Sequence, residues 1–324
     1  MRRFRMLVVL LTLVALPVAL AGCGGPASGA GADPSFVLRV GMTSVTGTVQ
    51  GNLGWAEEKG LLLDALKPSG VKQVKFSFFQ SGADVSAALL SGAIDVAVTG
   101  DMPALRTRAK GNPTRLLALT TINADTWLIG RKGGPTDIKD LVGRTVTAPE
   151  GTIRYRVAYG LLHEAGLTGK IEIKNVPTPE SLAGLSSGSI DATVVGGTQA
   201  YELERKGFVV IDKASNHPHL RSTEHSTALQ SFLDKHPGFG QAWGAAIASI
   251  NRHVRDNITE YWAYSADKDD TEVEFAAKAE PAEHFNVEPF PADGIAQVNA
   301  TYEFLRDQKL IDAEFDIDAW RVTS

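Results

Sequence analysis

The sequence predicts an α/β protein built from two similar lobes, because one helix–turn–strand pattern occurs twice. Residues 89–100 (LLSGAIDVAVTG) and 185–196 (LSSGSIDATVVG) are identical at seven of twelve positions, at an offset of 96 residues. Each Ser-Gly pair suits a helix end that needs a left-handed residue, and each Ile-Asp pair opens an apolar run typical of a buried parallel strand. This offset is too wide for a solenoid repeat. We therefore expect one copy in each lobe.

Both repeated strands end in glycine, and ligands gather at the carboxyl ends of strands in open α/β sheets. Two such strand ends, one from each lobe, would face each other across a cleft. The length of 324 residues also suits two domains.

Composition excludes several functional classes. The chain is 44% hydrophobic and 21% charged, with a net charge of −5. It lacks the basic stripe of a nucleic-acid-binding protein, so we expect no nucleic-acid partner.

The N-terminus predicts export and lipid anchoring. Residues 1–22 combine a basic start with an apolar segment that is too short to span a membrane, as in a signal peptide. This segment leads into Leu20-Ala21-Gly22-Cys23, which matches the lipobox of bacterial lipoproteins. Cys23 is the only cysteine, so no disulfide forms within the chain, and we expect it to be lipidated. Residues 23–35 are predicted to be a flexible tether. The protein is therefore expected outside the cytoplasmic membrane, anchored to it.

The first lobe is predicted to begin with a strand over 36–41 and a loop rich in hydroxyl groups over 42–51. A helix over 53–59 follows, so its N-terminal amides point back at this loop and favour an anion there. An ordinary strand–helix connection explains the loop equally well. A second strand, 71–79, leads into the helix of the first repeat copy, and strands over 115–122 and 126–131 follow, with a crossing between lobes at 123–125.

The second lobe is predicted to place a strand over 144–148 before the turn at Gly151 and Thr152. The apolar spacing that follows indicates a helix ending at Gly166. Arg154 and Arg156 fall in its first turn, where the helix dipole disfavours cations. An anionic partner would remove this conflict, and a side chain in solvent would also remove it. We favour the anion for Arg154 and solvent for Arg156.

The remaining chain completes both lobes. A strand over 171–176, the helix into the second repeat copy and a strand over 208–211 finish the second lobe. The chain then returns to the first lobe, and the rest is mainly helical. The predicted boundaries are 36–122 plus 222–324 for the first lobe and 123–221 for the second.

Catalytic motifs are absent from the sequence. There is no Gly-x-Ser-x-Gly elbow, Walker loop or strand followed by Gly-x-Gly-x-x-Gly. His217 and His219 are the strongest metal candidates, but no carboxylate run lies near them in sequence, so we favour a solvent-exposed pair and predict no metal site. Asp95 and Asp191 are expected to be architectural. No cofactor is expected.

The chain resembles the solute-binding proteins of ABC importers for nitrate, taurine and aliphatic sulfonates. The resemblance rests on short segments whose order and spacing match that family over nearly the whole mature chain: 39–41, 58–61, 91–95, 99–103, 140–146, 150–152, 164–167 and 187–192. It implies a type II periplasmic-binding-protein fold, a clamp of two lobes joined by two crossing strands.

The resemblance also implies which residues line the pocket. They are Thr43, Ser44, Thr46, Gln80, Ser81, Gly82, Thr99, Gly100, Asp101, Gly151, Thr152 and Arg154. Where sulfonate binders often carry an aromatic-acidic-Pro run after the second repeat strand, this chain has Gly196-Gly197-Thr198. We include Gly197 and Thr198 in the predicted site, and this departure leaves the ligand open.

The sequence therefore predicts a monomeric, lipid-anchored solute-binding protein that delivers a small anionic solute to ABC permease subunits. We expect no enzymatic activity. The alternatives are a sensory binding module and a binding protein or enzyme related to pyrimidine-precursor synthesis, both on the same fold.

Overall fold

The computed structural model describes residues 36–44 and 47–322. The signal peptide, Cys23, the tether and Thr46 lie outside these residues. No helix in the described part of the chain is long and apolar enough to cross a membrane.

Ten strands in the described residues form two five-stranded sheets. In chain order they are β1 (Val37–Thr43), β2 (Gln73–Phe79), β3 (Val96–Gly100), β4 (Thr114–Ala124), β5 (Thr126–Gly130), β6 (Val146–Thr147), β7 (Ile173–Lys174), β8 (Ala192–Gly196), β9 (Val209–Lys213) and β10 (Ser222–Leu229). The first sheet has the order β2-β1-β3-β10-β4 and the second β7-β6-β8-β5-β9. The chain passes between the sheets twice, from β4 to β5 and from β9 to β10. The predicted α/β fold with two crossings is confirmed.

Thirteen α-helices pack on these sheets within the described ranges. They are α1 (Gly51–Glu58), α2 (Leu61–Leu66), α3 (Gly82–Leu90), α4 (Asp101–Ala109), α5 (Ile153–Glu164), α6 (Thr178–Ser187), α7 (Thr198–Arg205), α8 (Gln230–Lys235), α9 (Phe239–Asp256), α10 (Ile258–Asp269), α11 (Val273–Ala279), α12 (Ala292–Asp307) and α13 (Ile317–Trp320).

Each sheet is buried between two helix layers. One face of the first sheet packs against α1, α2 and α9, where Trp243 is fully buried, and the other packs against α4, α12 and α13, where Trp320 is fully buried. The second sheet lies between α5 on one face and α6 and α7 on the other. Each sheet thus has an apolar core on both of its faces. For this reason the sequence pattern of a buried parallel strand occurs in both halves of the chain.

The repeated segment forms the same device in both sheets. Gly92 (φ 74°) lies at the start of the turn between α3 and β3, and Gly188 (φ 83°) caps α6 at the start of the turn to β8. Asp95 accepts a hydrogen bond from the backbone N–H of Arg39 (2.8 Å) and an ion pair from its side chain. Asp191 does the same for Thr145 N–H (3.0 Å) and the Arg131 side chain (3.0 Å). Both aspartates fasten a strand to its neighbour, as expected for architectural residues.

The two crossings are tied to each other by Asp125. Its carboxylate accepts hydrogen bonds from Trp127 Nε1 in the first crossing (2.8 Å) and from the backbone N–H of Ser215 in the second (2.8 Å). One side chain therefore holds both connections between the lobes in register.

Candidate functional site

The predicted site residues lie on loops and helix N-termini at the carboxyl ends of β1, β2 and β3 in the first sheet and of β6 and β8 in the second. The two sets approach each other. An ideal Cβ built on Gly151, before α5, would lie 3.0 Å from Nη1 of Arg106 on α4. The turn before α5 in the second lobe therefore lies next to α4 in the first, where the prediction places the two strand-end walls of an interlobe cleft.

Two hydrogen bonds hold Ser44, the residue that directly follows β1. Thr43 ends the strand and is exposed. Ser44 is buried, its N–H donates to the carbonyl of Phe79 (3.1 Å), and its hydroxyl donates to the carbonyl of Thr48 (2.9 Å). Ser44 is therefore fixed between the end of β2 and the residues that lead into α1.

The turn between β2 and α3 is a helix cap. Gln80 is exposed. The Ser81 hydroxyl accepts from the backbone N–H of Asp84 (3.2 Å) and donates to its carboxylate (2.7 Å). A Cβ on Gly82 would lie 2.5 Å from Cγ of Pro103, so Gly82 permits the close packing of α3 on α4. Packing requires Gly82, whatever the ligand.

The turn between β3 and α4 differs in part from the expectation. Thr99 is buried, and its hydroxyl donates to the carbonyl of Gly100 (3.1 Å), which is exposed. Asp101, expected to line the cleft, is buried instead, and its carboxylate accepts from Thr301 Oγ1 (2.7 Å) and from the N–H of Met102 (2.7 Å). Burial raises the pKa of Asp101, and the nearby Arg156 charge opposes this rise. Because its lone pairs are used inside the protein, Asp101 is removed from the direct ligand contacts.

The N-terminus of α5 has no side-chain cap. Thr152 occupies the cap position, but its hydroxyl donates to the carbonyl of Pro149 (2.6 Å) and accepts nothing from the helix. The first turn holds no acidic residue. The first amides of α5 are therefore available to an anion, since a helix leaves them without an internal partner.

Arg154 brings a cation to this helix end without an acidic partner. Its Nε atom is buried and has no hydrogen-bond partner, and no ion pair joins it to a carboxylate in the described part of the chain. Burial lowers the pKa of this guanidinium. An anionic group would relieve both the missing hydrogen bond and the cost of desolvation.

Arg156 was expected in solvent, and this expectation is wrong. The side chain is 1% exposed. It donates to the carbonyls of Leu220 (3.2 Å) and Arg221 (3.2 Å), and to that of His219, all in the second crossing. Positions 154 and 156 lie about 200° apart around a helix, so one arginine faces away from the other. Arg156 fastens α5 to the crossing.

Two residues after β8, Gly197 and Thr198, differ in their surroundings. Gly197 has φ 61°, and no atom lies within 4 Å of a Cβ placed there. Thr198 starts α7. Burial raises the pKa of Asp269, the nearby Thr198 side chain opposes this rise, and the Asp269 carboxylate accepts a hydrogen bond from Gln50 Nε2 (3.0 Å). Sequence reasoning missed Asp269, because it lies 71 residues beyond Thr198 and no local pattern connects the two.

Glu224 is a further acidic residue at this edge, and no sequence motif singles it out. It pairs with Gly100 in the register of β10 and β3, and it accepts a hydrogen bond from Thr120 Oγ1 (2.5 Å). Burial raises the pKa of Glu224. The pKa of Glu280 is raised to about 7, mainly by burial and to a smaller extent by the charges of Asp269 and Glu224.

The histidine pair is not isolated in solvent. His217 Nδ1 lies 2.6 Å from Glu164 Oε2, its Nε2 lies 3.1 Å from Asp212 Oδ2, and His219 Nε2 lies 2.7 Å from Glu164 Oε1. These carboxylates raise the pKa of His217 against burial, the largest influence on it, which lowers it. The described residues contain no group of three or more His, Cys, Asp or Glu able to hold a metal ion. The pair is an ion-pair network that links the second crossing to α5.

Comparison with known proteins identifies the family. The family described as NMT1/THI5 like matches residues 49–231, more than half of the chain. The chain belongs to the NMT1/THI5-like family. It is 27% identical over 147 residues to the taurine-binding periplasmic protein of Escherichia coli K12, a match that covers 45% of this chain and 46% of that protein. The matched segment is thus about half the length of this relative.

Solved structures show the same fold. The aliphatic sulphonate binding protein SsuA of Escherichia coli has a TM-score of 0.70 at 19% identity, covering 88% of this chain and 96% of that one. The alkanesulfonate-binding protein SsuA of Xanthomonas axonopodis, bound to MOPS, has a TM-score of 0.71 at 17% identity, with 88% and 98% covered. The desulfurization enzyme DSZB has a TM-score of 0.71 at 16% identity, with 89% and 96% covered. The predicted periplasmic-binding-protein fold is confirmed, and the presence of DSZB shows that this fold hosts both binding and catalysis.

Proposed function

We propose that this protein is the solute-binding component of an ABC importer and captures a small anionic solute of the sulfonate, taurine or nitrate type between its lobes. The observation that carries the proposal is the uncapped N-terminus of α5 with the partnerless Nε of Arg154 beside it. Helix amides and a guanidinium together suit the oxygens of a sulfonate or nitrate. The relatives named for taurine and sulfonates support the same class of ligand.

The residues proposed to contact solute are those of the two strand-end walls. In the first wall they are Thr43, Ser44, Thr46, Gln80, Ser81, Gly82, Thr99 and Gly100. In the second they are Gly151, Thr152, Arg154, Gly197 and Thr198. The lobes are proposed to comprise 36–122 plus 222–324 and 123–221. The division of the strands between the two sheets supports this proposal, except that β4 of the first sheet continues to Ala124.

Membrane attachment and partners follow from the sequence and the relatives. We propose that Cys23 is lipidated, that the protein works outside the cytoplasmic membrane as a monomer, and that it delivers solute to permease subunits. Two of the relatives are named as periplasmic proteins, which supports this location.

Binding without turnover is proposed in place of catalysis. The single cysteine of the chain lies in the lipobox, and no nucleophile, base and oxyanion donors converge at the described part of the cleft. The alternative is an enzyme, and the fold shared with the desulfurization enzyme DSZB supports this alternative. Conversion of a bound sulfonate, sulfinate or pyrimidine precursor over hours would favour that alternative.

A thermal-shift screen tests the proposal. Taurine, ethanesulfonate, MOPS and nitrate are the probes, with choline as a cationic control. A ligand at 100 times its dissociation constant stabilises the folded protein by about 2.7 kcal/mol, which raises the midpoint measurably. We expect at least one anion to shift the midpoint and choline to leave it unchanged. A flat response to every anion contradicts the proposal.

A further inference from the structure

Residues 269–279, from the end of α10 through α11, belong to the first lobe and contact the second, and we call them the clip. On the second lobe they contact α7. Glu272 forms an ion pair with Arg205, and the hydroxyl of Thr271 donates to Glu202 Oε1 (2.8 Å). The Tyr201 hydroxyl donates to the carbonyl of Lys278 (3.0 Å).

Aromatic contacts reinforce the same interface. The rings of Tyr201 and Phe275 are stacked with centroids 6.2 Å apart, and the Arg205 guanidinium lies 4.6 Å from the Phe275 centroid. Phe275 is buried. The clip and α7 thus share an apolar centre with polar pairs around it.

At its other end the clip reaches the strand-end walls of the cleft. Asp269 accepts a hydrogen bond from Gln50 (3.0 Å), which directly precedes α1, and the side chain of Thr198, which begins α7, lies beside the same carboxylate. Lys268, the residue before the clip, pairs with Glu58 on α1 (3.4 Å). One carboxylate therefore joins the two lobes beside the proposed solute contacts.

The clip is continuous in sequence with α10 and is also bonded to it, whereas side-chain contacts and the Lys278 carbonyl join it to α7. The N–H of Thr271 donates to the carbonyl of Ala266 (2.9 Å), and Glu280, just beyond the clip, accepts from Tyr261 (3.0 Å) and Ser265 (2.5 Å) on α10. By contrast, the side chains of Arg205 and Glu272 are 51% and 58% exposed. Exposed polar pairs contribute little each and separate easily. When the lobes move apart, the interface that parts is therefore the one between the clip and α7.

We propose that the clip is a latch that closes on α7 when the lobes come together and so sets how tightly solute is held. The proposal rests on the function proposed above. Solute binds both walls only when the lobes are together, so its apparent affinity scales with the fraction of closed protein. Contacts between the clip and α7 raise that fraction and slow the release of solute.

Charge reversal at the exposed ion pair tests the latch. In R205E the new carboxylate faces Glu272, Glu202 and Glu274, which all lie near Arg205. The double variant R205E/E272R restores opposite charges. K67E is the matched control, because Lys67 pairs with Asp64 in an exposed ion pair that does not involve α7, and the change in net charge is the same.

Two measurements are made on each protein. Small-angle scattering without added solute gives the radius of gyration, and calorimetric titration gives the affinity for taurine and ethanesulfonate. We expect R205E to have a larger radius and an affinity lower by about fivefold or more, in line with typical coupling between sites. R205E/E272R should recover both values, and K67E should match the unaltered protein.

The outcomes separate the two proposals. If R205E binds solute normally and keeps its radius, the latch is overturned and the proposed function stands. If the unaltered protein binds neither probe but R205E expands and the double variant contracts again, the latch stands and the proposed ligand class fails. If R205E loses affinity and the double variant does not recover it, the ion pair is not the closing contact and the latch is overturned.

Discussion

Gly82 and Gly100 both belong to the first wall of the cleft, but their surroundings differ. A Cβ at Gly82 would lie 2.5 Å from Pro103, whereas no atom lies within 4 Å of a Cβ at Gly100. Neither residue has a positive φ. We therefore expect Gly82→Ala to lower the free energy of unfolding by about 1–3 kcal/mol and Gly100→Ala to change it by less than about 0.5 kcal/mol. Urea unfolding of the two variants measures both values, and equal losses would contradict this account of the packing of α3 on α4.

Glu280 should make stability depend on pH. Burial raises its pKa to about 7 from an ordinary value of 4.5. The folded state therefore holds this proton more tightly than the unfolded state, so the contribution of Glu280 to stability falls as pH rises from 4.5 to about 7. The slope is at most about 1.4 kcal/mol per pH unit.

The variant Glu280→Gln removes this titration. From pH 4.5 to 7, the unaltered protein should lose stability relative to the variant. Above pH 7, the difference between the two unfolding free energies should stay constant. Chemical unfolding at a series of pH values measures it. Exposed Glu303→Gln is the control and should leave the profile unchanged. A difference that is constant at every pH would mean that Glu280 titrates normally.

At the residue scale, the sequence indicated which charges are unfavourably placed, but not which groups compensate them. Two arginines in the first turn of a helix are unfavourable whatever the fold, so Arg154 and Arg156 could be selected without a structure. The partner of each depends on which way the side chain points. Arg156 reaches carbonyls about 63–65 residues away along the chain, and Asp101 reaches Thr301 on α12. Contacts at such separations leave no local pattern.

At the scale of secondary-structure elements, the main prediction concerns Arg156, because this residue joins α5 to the second crossing. Its buried guanidinium binds three carbonyls of that crossing and lies near the buried Asp101 carboxylate on α4. A buried polar group that loses its partner costs about 1–3 kcal/mol, so we expect Arg156→Met, which removes the donor of three carbonyls, to lower the free energy of unfolding by about 3 kcal/mol or more. Arg156→Lys, which keeps the charge, should lose less.

Urea unfolding of both variants tests this role, with exposed Arg306→Met on α12 as the control. The control should lie within about 0.5 kcal/mol of the unaltered protein. If Arg156→Met were as stable as the control, Arg156 would not hold the crossing.

Secondary-structure elements were predicted well where a pattern was strong. The repeated segment gave β3 and β8 with their preceding helices, because a left-handed glycine and a buried apolar strand both have local signals. The end of α5 and the strands on either side of the first crossing were also found. The short strands β6 and β7 are only two residues long, and longer strands were predicted there, since sheet pairing and not local preference decides their length.

At the scale of the whole molecule, the account depends on two sheets that meet at their strand ends. The two crossings, tied by Asp125, make a connection that can bend without separating the lobes. In the proposed site, the α5 terminus with Arg154 and the hydroxyl-rich loop after β1 form opposite walls of one cleft. Closure would remove water from an anion held there and strengthen each charge-assisted hydrogen bond.

The central claim is that Arg154 holds an anionic solute at the start of α5. Calorimetric titration of taurine and ethanesulfonate into the unaltered protein, Arg154→Ala and the control Arg306→Ala tests it most directly. A hydrogen bond to a charged group contributes about 1.5–3 kcal/mol, so we expect Arg154→Ala to bind at least tenfold more weakly and the control to bind normally. Unchanged affinity in Arg154→Ala would contradict the claim.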